Sequence, residues 1–283
     1  MQKKPISTEL LAQLETITRR FKPPPIARLH VPADLCESAK ARDAAFCAIE
    51  LQDGAFGLSY LMLGDTLRDM LQSRAAPLAG QCSLQMARNF ASSNALERAL
   101  ALACINALTD SVWRQIGFEP PAAGNSLGDV PLSVDDHLGM IGFFPPLVRQ
   151  VQAIGARLTV VELDQATVLR QRERFPGVTI TLDRSSLAAC NVVVGTSTML
   201  LNDTLDEMLD AAPAANRFAV IGPSAGLWPD SLFDRGVTLT GGTRIVDAAQ
   251  FHAAMASGAS WSGAARKFAL SAANWPGWRS LLA

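Results

Sequence analysis

The sequence predicts an α/β protein, with a small α+β unit over residues 1–126 followed by a Rossmann-like, doubly wound parallel sheet over residues 127–283. Three observations predict it. Strand patterns precede helical ones in the first half, a breaker-rich stretch at 120–126 (Pro-Pro-Ala-Ala-Gly-Asn-Ser) separates the halves, and continuous apolar runs alternate with helical stretches in the second half. A chain of 283 residues is long enough for two domains, and 49% hydrophobic against 18% charged residues excludes a disordered chain.

In the first half, Leu10, Leu11, Leu14 and Ile17 recur at helical spacing after a Ser7/Thr8 cap, which predicts a helix over 8–21 stopped by Pro23, Pro24 and Pro25. A strand follows at 26–31. Apolar runs at 44–51 and 57–63 bracket Gln52-Asp53-Gly54, a hairpin signal. Helical patterns then occupy 66–73, 83–91 and 94–116. In the second half, strands are expected at 138–142, 159–163, 178–181, 191–195, 218–222 and 237–240. Helices are expected at 145–154, 165–174, 202–211 and 247–255.

Composition narrows the function. With 25 Lys and Arg against 26 Asp and Glu the net charge is −1, which gives no footprint for nucleic acid. The first 20 residues lack an unbroken apolar core, so no signal peptide is expected. The most apolar helical stretch, 99–108, is about half of what a membrane crossing needs. A cytoplasmic protein without membrane association is the expectation. Five cysteines, none in a Cys-x-x-Cys pair, argue against a disulfide framework or a zinc knuckle. The three histidines, His30, His137 and His252, lie more than a hundred residues apart, so spacing announces no metal site.

In a doubly wound sheet, ligands bind beyond the carboxyl ends of the strands. Those ends carry Gly142, Phe143 and Phe144; Glu162; Thr196, Ser197 and Thr198 with Asn202; and Gly222 with Ser224. Glycines let a ligand approach the backbone, and hydroxyls beside helix N-termini hold polar groups. Glu162 stands 20 residues after Gly142, where a nucleoside binder places a carboxylate on ribose hydroxyls; the alternative is a carboxylate that caps the next helix. The first loop lacks the glycine that would seat a pyrophosphate, so the standard NAD fingerprint is absent. Phe143 and Phe144 either stack a planar ligand or pack the first helix on the sheet. Gly222-Pro223-Ser224-Ala225-Gly226 matches the Gly-x-Ser-x-Gly of hydrolases, but Pro223 and the lack of a second glycine-rich loop count against that chemistry.

The strings Gly142-Phe143-Phe144-Pro145-Pro146-Leu147-Val148, Val161-Glu162-Leu163, Gly195 through Leu205 and Val220-Ile221-Gly222-Pro223-Ser224 together resemble the heavy-metal-chelation family of bacterial and archaeal proteins. The resemblance implies an enolase-N-terminal-like first domain before the Rossmann-like one. It matches Ile105-Asn106-Ala107 to the family's Asn-Ala element and implies that Asn106 reaches the cleft between the domains. It also implies handling of a metal ion, a metallophore or a metal chelate in that cleft. Glu162, Asp135, Asp136 and Asn202 could supply a hard-oxygen site. The other reading is a transferase or synthase dependent on S-adenosylmethionine or a nucleotide, and a third is a noncatalytic sensor. The sequence assigns no general base, and whether the chain forms a homo-oligomer stays open.

Overall fold

Elements of the first half follow from local chemistry. The computed structural model describes residues 4–31, 45–72, 78–124 and 130–283. Helix α1 (Ile6–Thr18) buries Ile6, Leu10, Leu14 and Ile17. It begins two residues before the expected start at Thr8 because Pro5 occupies the cap position, and the Thr8 amide bonds the Pro5 carbonyl at 3.0 Å. Strands β1 (Ile26–His30), β2 (Phe46–Leu51) and β3 (Phe56–Tyr60) form an antiparallel sheet in that order. The β2–β3 turn is set by Asp53, whose carboxylate accepts the Ala55 amide at 3.1 Å, and by Gly54 at φ +81°.

Helices α2 (Thr66–Gln72), α3 (Ser83–Arg88) and α4 (Ala95–Gln115) follow. Asn94 caps α4, accepting the Glu97 amide at 3.0 Å. A helix apolar around most of its circumference must be covered on several sides, and α4 is buried almost continuously from Ala99 to Trp113. Alternation along β2 sends Cys47, Ile49 and Leu51 into the core that holds α4, and Phe46 and Ala48 to the opposite face.

The second half contains a seven-stranded sheet. Its parallel members are β4 (His137–Ile141), β5 (Arg157–Val161), β6 (Thr179–Thr181), β7 (Val192–Thr196), β8 (Arg217–Ile221) and β9 (Leu239–Ile245). Helices α5 (Pro145–Ile154), α6 (Gln165–Arg174), α7 (Leu205–Ala211), α8 (Asp230–Phe233), α9 (Ala248–Ser257) and a C-terminal α10 (Trp278–Leu281) intervene or follow. With a last strand, β10 (Ala265–Ser271), the spatial order is β10-β9-β8-β7-β4-β5-β6. The chain steps outward from β4 through β5 to β6, then returns to the other side of β4 with β7. This reversal creates a crevice between the carboxyl ends of β4 and β7.

Two features depart from the expected pattern. An additional edge strand, β10 (Ala265–Ser271), runs antiparallel to β9 over its whole length. The breaker-rich segment pairs with it in turn, the Ala123 amide bonding the Lys267 carbonyl and the Ala269 amide the Pro121 carbonyl, each at 3.0 Å. The expected domain boundary at 126/127 lies outside the described residues. One hydrophobic cluster runs through both halves, joining Leu102, Ile105 and Leu108 of α4 with Val193, Leu200, Leu205 and Val220. No helix among the described residues is long and apolar enough to cross a membrane.

Candidate ligand cleft

A cavity of about 450 Å³ opens at the carboxyl ends of β4, β5, β7 and β8, within the usual size range of small-molecule sites. It is lined by Gly142, Phe143, Phe144, Glu162, Thr196, Ser197, Thr198, Asn202 and Gly222, and the first half supplies Phe46, Tyr60, Met62 and Leu63. Nine residues singled out from sequence therefore meet at one place, whereas Asn106, Ser224, Asp135 and Asp136 do not.

Glycines shape the floor. Gly142 sits at φ +84° and donates its amide to the Val161 carbonyl at 2.9 Å. A Cβ there would fall 2.7 Å from the Thr196 methyl. Gly222, at φ +134°, would place a Cβ 2.6 Å from the Ser197 hydroxyl. Both positions need the left-handed backbone and the missing side chain. Thr196 caps the turn at Ser197–Leu200, its hydroxyl paired with that of Thr198, and Asn202 accepts the Thr204 hydroxyl at 2.8 Å.

The two readings of Glu162 can be separated here. Asp164, not Glu162, caps α6, accepting the Thr167 amide at 2.7 Å and the Ala166 amide at 3.3 Å. Glu162 instead lines the cavity and accepts the adjacent Leu163 amide at 3.2 Å. Burial pushes its carboxyl above the usual range, against the pull of the Leu163 and Phe143 amides. Burial and the nearby Glu162 charge likewise raise the Tyr60 phenol.

A carboxyl raised on folding contributes stability that is fully present below its ordinary value, roughly pH 4, and lost as pH rises through the folded value. Glu162→Gln should therefore raise the melting temperature at pH 7, and the gain should vanish at about pH 4 and below, as scanning calorimetry across that range would read.

Phe143 and Phe144 pack α5 on the sheet and also line the cavity. Phe143 packs on Phe175 at 5.2 Å between ring centroids, and both phenylalanines join the cluster between α5 and the sheet while facing the cavity. Their neighbours in the wall include Met199 and Met208, and the exposed Met62 and Leu163 complete an apolar rim.

Asn106 and Ser224 lie behind the cavity wall. Asn106 is 2% exposed, and its amide donates to the carbonyls of Leu58 and Ser224 at 2.8 and 2.9 Å. Ser224 is fully buried, and its hydroxyl accepts the Tyr60 amide at 3.0 Å. Together they tie the end of β3 to the loop after β8 and so position Tyr60. Ser224 cannot act as a nucleophile from there.

The expected oxygen site is not assembled. Asp135 and Asp136 precede β4, at the amino edge of the sheet, while Glu162 and Asn202 lie at the carboxyl edge. Asp136 is occupied by the Ser133 amide at 2.7 Å, the Asn191 amide group at 2.8 Å and Arg217. His137 bonds the Thr159 hydroxyl at 2.9 Å on that same edge.

Comparison with known proteins shows a family and a shared fold. A family model described as "Putative heavy-metal chelation" matches residues 127–274, and a second with the same description matches residues 42–109. An uncharacterised protein of Methanocaldococcus jannaschii is 27% identical over 161 residues, which cover 54% of this chain and 56% of that protein. A crystal structure from Pyrococcus horikoshii, of unknown function, superposes with a TM-score of 0.70 at 16% identity, covering 94% of this chain and 99% of the other. One from Desulfitobacterium hafniense, also of unknown function, gives 0.67 at 19% identity, covering 93% and 98%. At these identities the two structures share the fold.

Proposed function

Since the chain belongs to the family described under heavy-metal chelation, we propose that its cleft takes a metal as an organic chelate or metallophore, not as a bare ion. The chemistry of the walls carries this reading. Soft and borderline heavy metals are held by thiolate and imidazole, and among the described residues the lining contains neither Cys nor His. It offers hydroxyls, thioethers, aromatic faces and one desolvated carboxylate. Such a surface suits an organic shell that carries the metal's own donors, with Glu162 accepting hydrogen bonds from hydroxyl or amine groups of the ligand. The ligand thereby supplies the solvation that burial takes from Glu162.

A second reading has its own observation in favour. Glu162 follows the second parallel strand, and Gly142 at φ +84° ends the first, the arrangement that holds a nucleoside. S-adenosylmethionine or a nucleotide would use Glu162 on ribose hydroxyls.

Calorimetric titration of wild type, Glu162→Gln and Glu162→Ala with free Zn²⁺, zinc citrate, S-adenosylmethionine and NAD separates the readings. The proposal expects heat from the chelate at the cleft, a loss of about 2–4 kcal/mol in Glu162→Ala and a smaller loss in Glu162→Gln. The same pattern with S-adenosylmethionine or NAD, and none with the chelate, favours the second reading. Free Zn²⁺ binding that falls equally in both variants makes Glu162 a metal ligand and overturns the chelate.

A further inference from the structure

A second constellation lies away from the cleft, on the other end of the small sheet. His30 closes β1, Glu50 lies near the end of β2, and His252 projects from α9. The antiparallel register pairs His30 with Ala48, two residues from Glu50 and on the same face. Packing of α9 against that face, through Phe251 on Phe56 and Ala48, brings in the third side chain. The Nε2 atoms of His30 and His252 both converge on one Glu50 oxygen, at 2.8 and 3.0 Å, and the three donor atoms lie within 4.8 Å of one another. None of the three lines the cleft.

We infer that His30, Glu50 and His252 form a binding site for one divalent transition-metal ion such as Zn²⁺, Co²⁺ or Ni²⁺. Two imidazoles and a carboxylate are the donor set of open zinc and non-haem iron sites, and two nitrogens among three donors disfavour Mg²⁺ and Ca²⁺, which prefer oxygen. With metal–donor distances near 2.1 Å, tetrahedral donors stand roughly 3.4 Å apart. The two nitrogen–oxygen separations need a change of about half an ångström to reach that, and the two nitrogens stand within 4.8 Å of each other. Each imidazole presents its Nε2 lone pair to the ion when its ring proton sits on Nδ1. Solvent completes the coordination sphere. His252, with 37% of its side chain exposed, gives the ion its way in, while His30 at 6% and Glu50 at 16% hold the inner side.

Because the ligands come from β1, β2 and α9, an ion there would staple the small sheet to the helix that follows β9. Binding to the folded state alone raises the melting temperature with metal concentration.

The test uses the full chain, stripped with EDTA and desalted. Zn²⁺ is titrated against a chromophoric chelator, Co²⁺ is followed by its visible absorption, and the melting temperature is recorded with and without Zn²⁺. The expected result is one ion per chain, tetrahedral-type Co²⁺ bands and a Zn²⁺-dependent rise in melting temperature. His252→Ala and Glu50→Gln should each weaken binding by more than about a hundredfold, beyond what an outer-sphere partner costs, and should abolish the Co²⁺ bands. Glu162→Ala should retain all three signals. His252 is half-exposed, so His252→Gln serves as a second variant with little demand on folding, and the metal-free melting temperature of each variant reports its fold. No Zn²⁺ binding by wild type at submillimolar concentration, or equal binding by wild type and the His252 and Glu50 variants, overturns the site and leaves a hydrogen-bonded His-Glu-His cluster. Either result leaves the cleft titrations with Glu162 unaffected.

Discussion

Replacing Asp110 by alanine should lower the unfolding free energy by about 3–5 kcal/mol, the usual consequence of leaving a buried charge without its partner. Asp110 is 3% exposed on the face of α4 that meets the large sheet. Its carboxylate accepts Arg244 Nε of β9 at 2.6 Å, Arg114 Nε at 2.8 Å and the Phe56 amide of β3 at 3.2 Å. One carboxylate thus joins the helix, the small sheet and the large sheet. Without it the Arg244 guanidinium, itself 7% exposed, keeps among the described residues only Glu119 as a carboxylate partner, at 3.2 Å, and that residue is largely in solvent. Urea denaturation would read the loss, with a fall in melting temperature of roughly 10 °C. Asp110→Leu combined with Arg244→Met should recover much of it, because two matched apolar side chains avoid the desolvation of both charges.

Gly57→Ala should cost at least as much as ordinary overpacking, about 3 kcal/mol or more. A Cβ at Gly57 would lie 2.0 Å from the Ala103 carbonyl oxygen and 2.2 Å from the Ala107 nitrogen. Both are helix backbone atoms that no rotamer change can move. To admit one methyl group, β3 and α4 would have to separate, disturbing the Asn106 and Ser224 ties that hold Tyr60 at the cleft. Ser59→Ala, on the same face of the same strand, is the control. Its buried hydroxyl has no hydrogen-bond partner among the described residues, so its removal should be neutral or slightly stabilising. Paired denaturation curves of the two variants would test whether the close approach at Gly57 limits this interface.

Much of this architecture was legible in the residues, for physical reasons that also explain the omissions. Strands β4, β5, β7 and β8 are covered on both faces, so they read as unbroken apolar runs bounded by glycine or turn residues. Strand β10, Ala-Arg-Lys-Phe-Ala-Leu-Ser, is an edge strand with charged residues at its start, and its pattern is too weak to separate from a loop. In α1 the Ser7/Thr8 pair has the chemistry of a cap, but Pro5 already fixes the turn before it. At the cleft, strand ends predicted the glycines, the hydroxyls and Glu162. The contribution of Phe46, Tyr60 and Met62 required knowing how the small sheet docks on the large one. Asp135 and Asp136 precede β4 and therefore sit at its amino edge, a strand's length from the carboxyl ends that carry Glu162 and Asn202, so the four oxygens cannot form one site. His30, Glu50 and His252 carry no mutual spacing, since strand pairing and helix packing, not local sequence, bring them together.

The central claim is that the cleft around Glu162 takes an organic ligand that carries metal. The most direct measurement is native mass spectrometry of the chain as isolated from cells, with elemental analysis of the same sample, in a His252→Ala background that removes the other proposed site. The account predicts a noncovalent adduct of organic mass accompanied by metal, both lost together when Glu162→Ala is added. A sample with no organic adduct, or an adduct and metal content unchanged by Glu162→Ala, would contradict it.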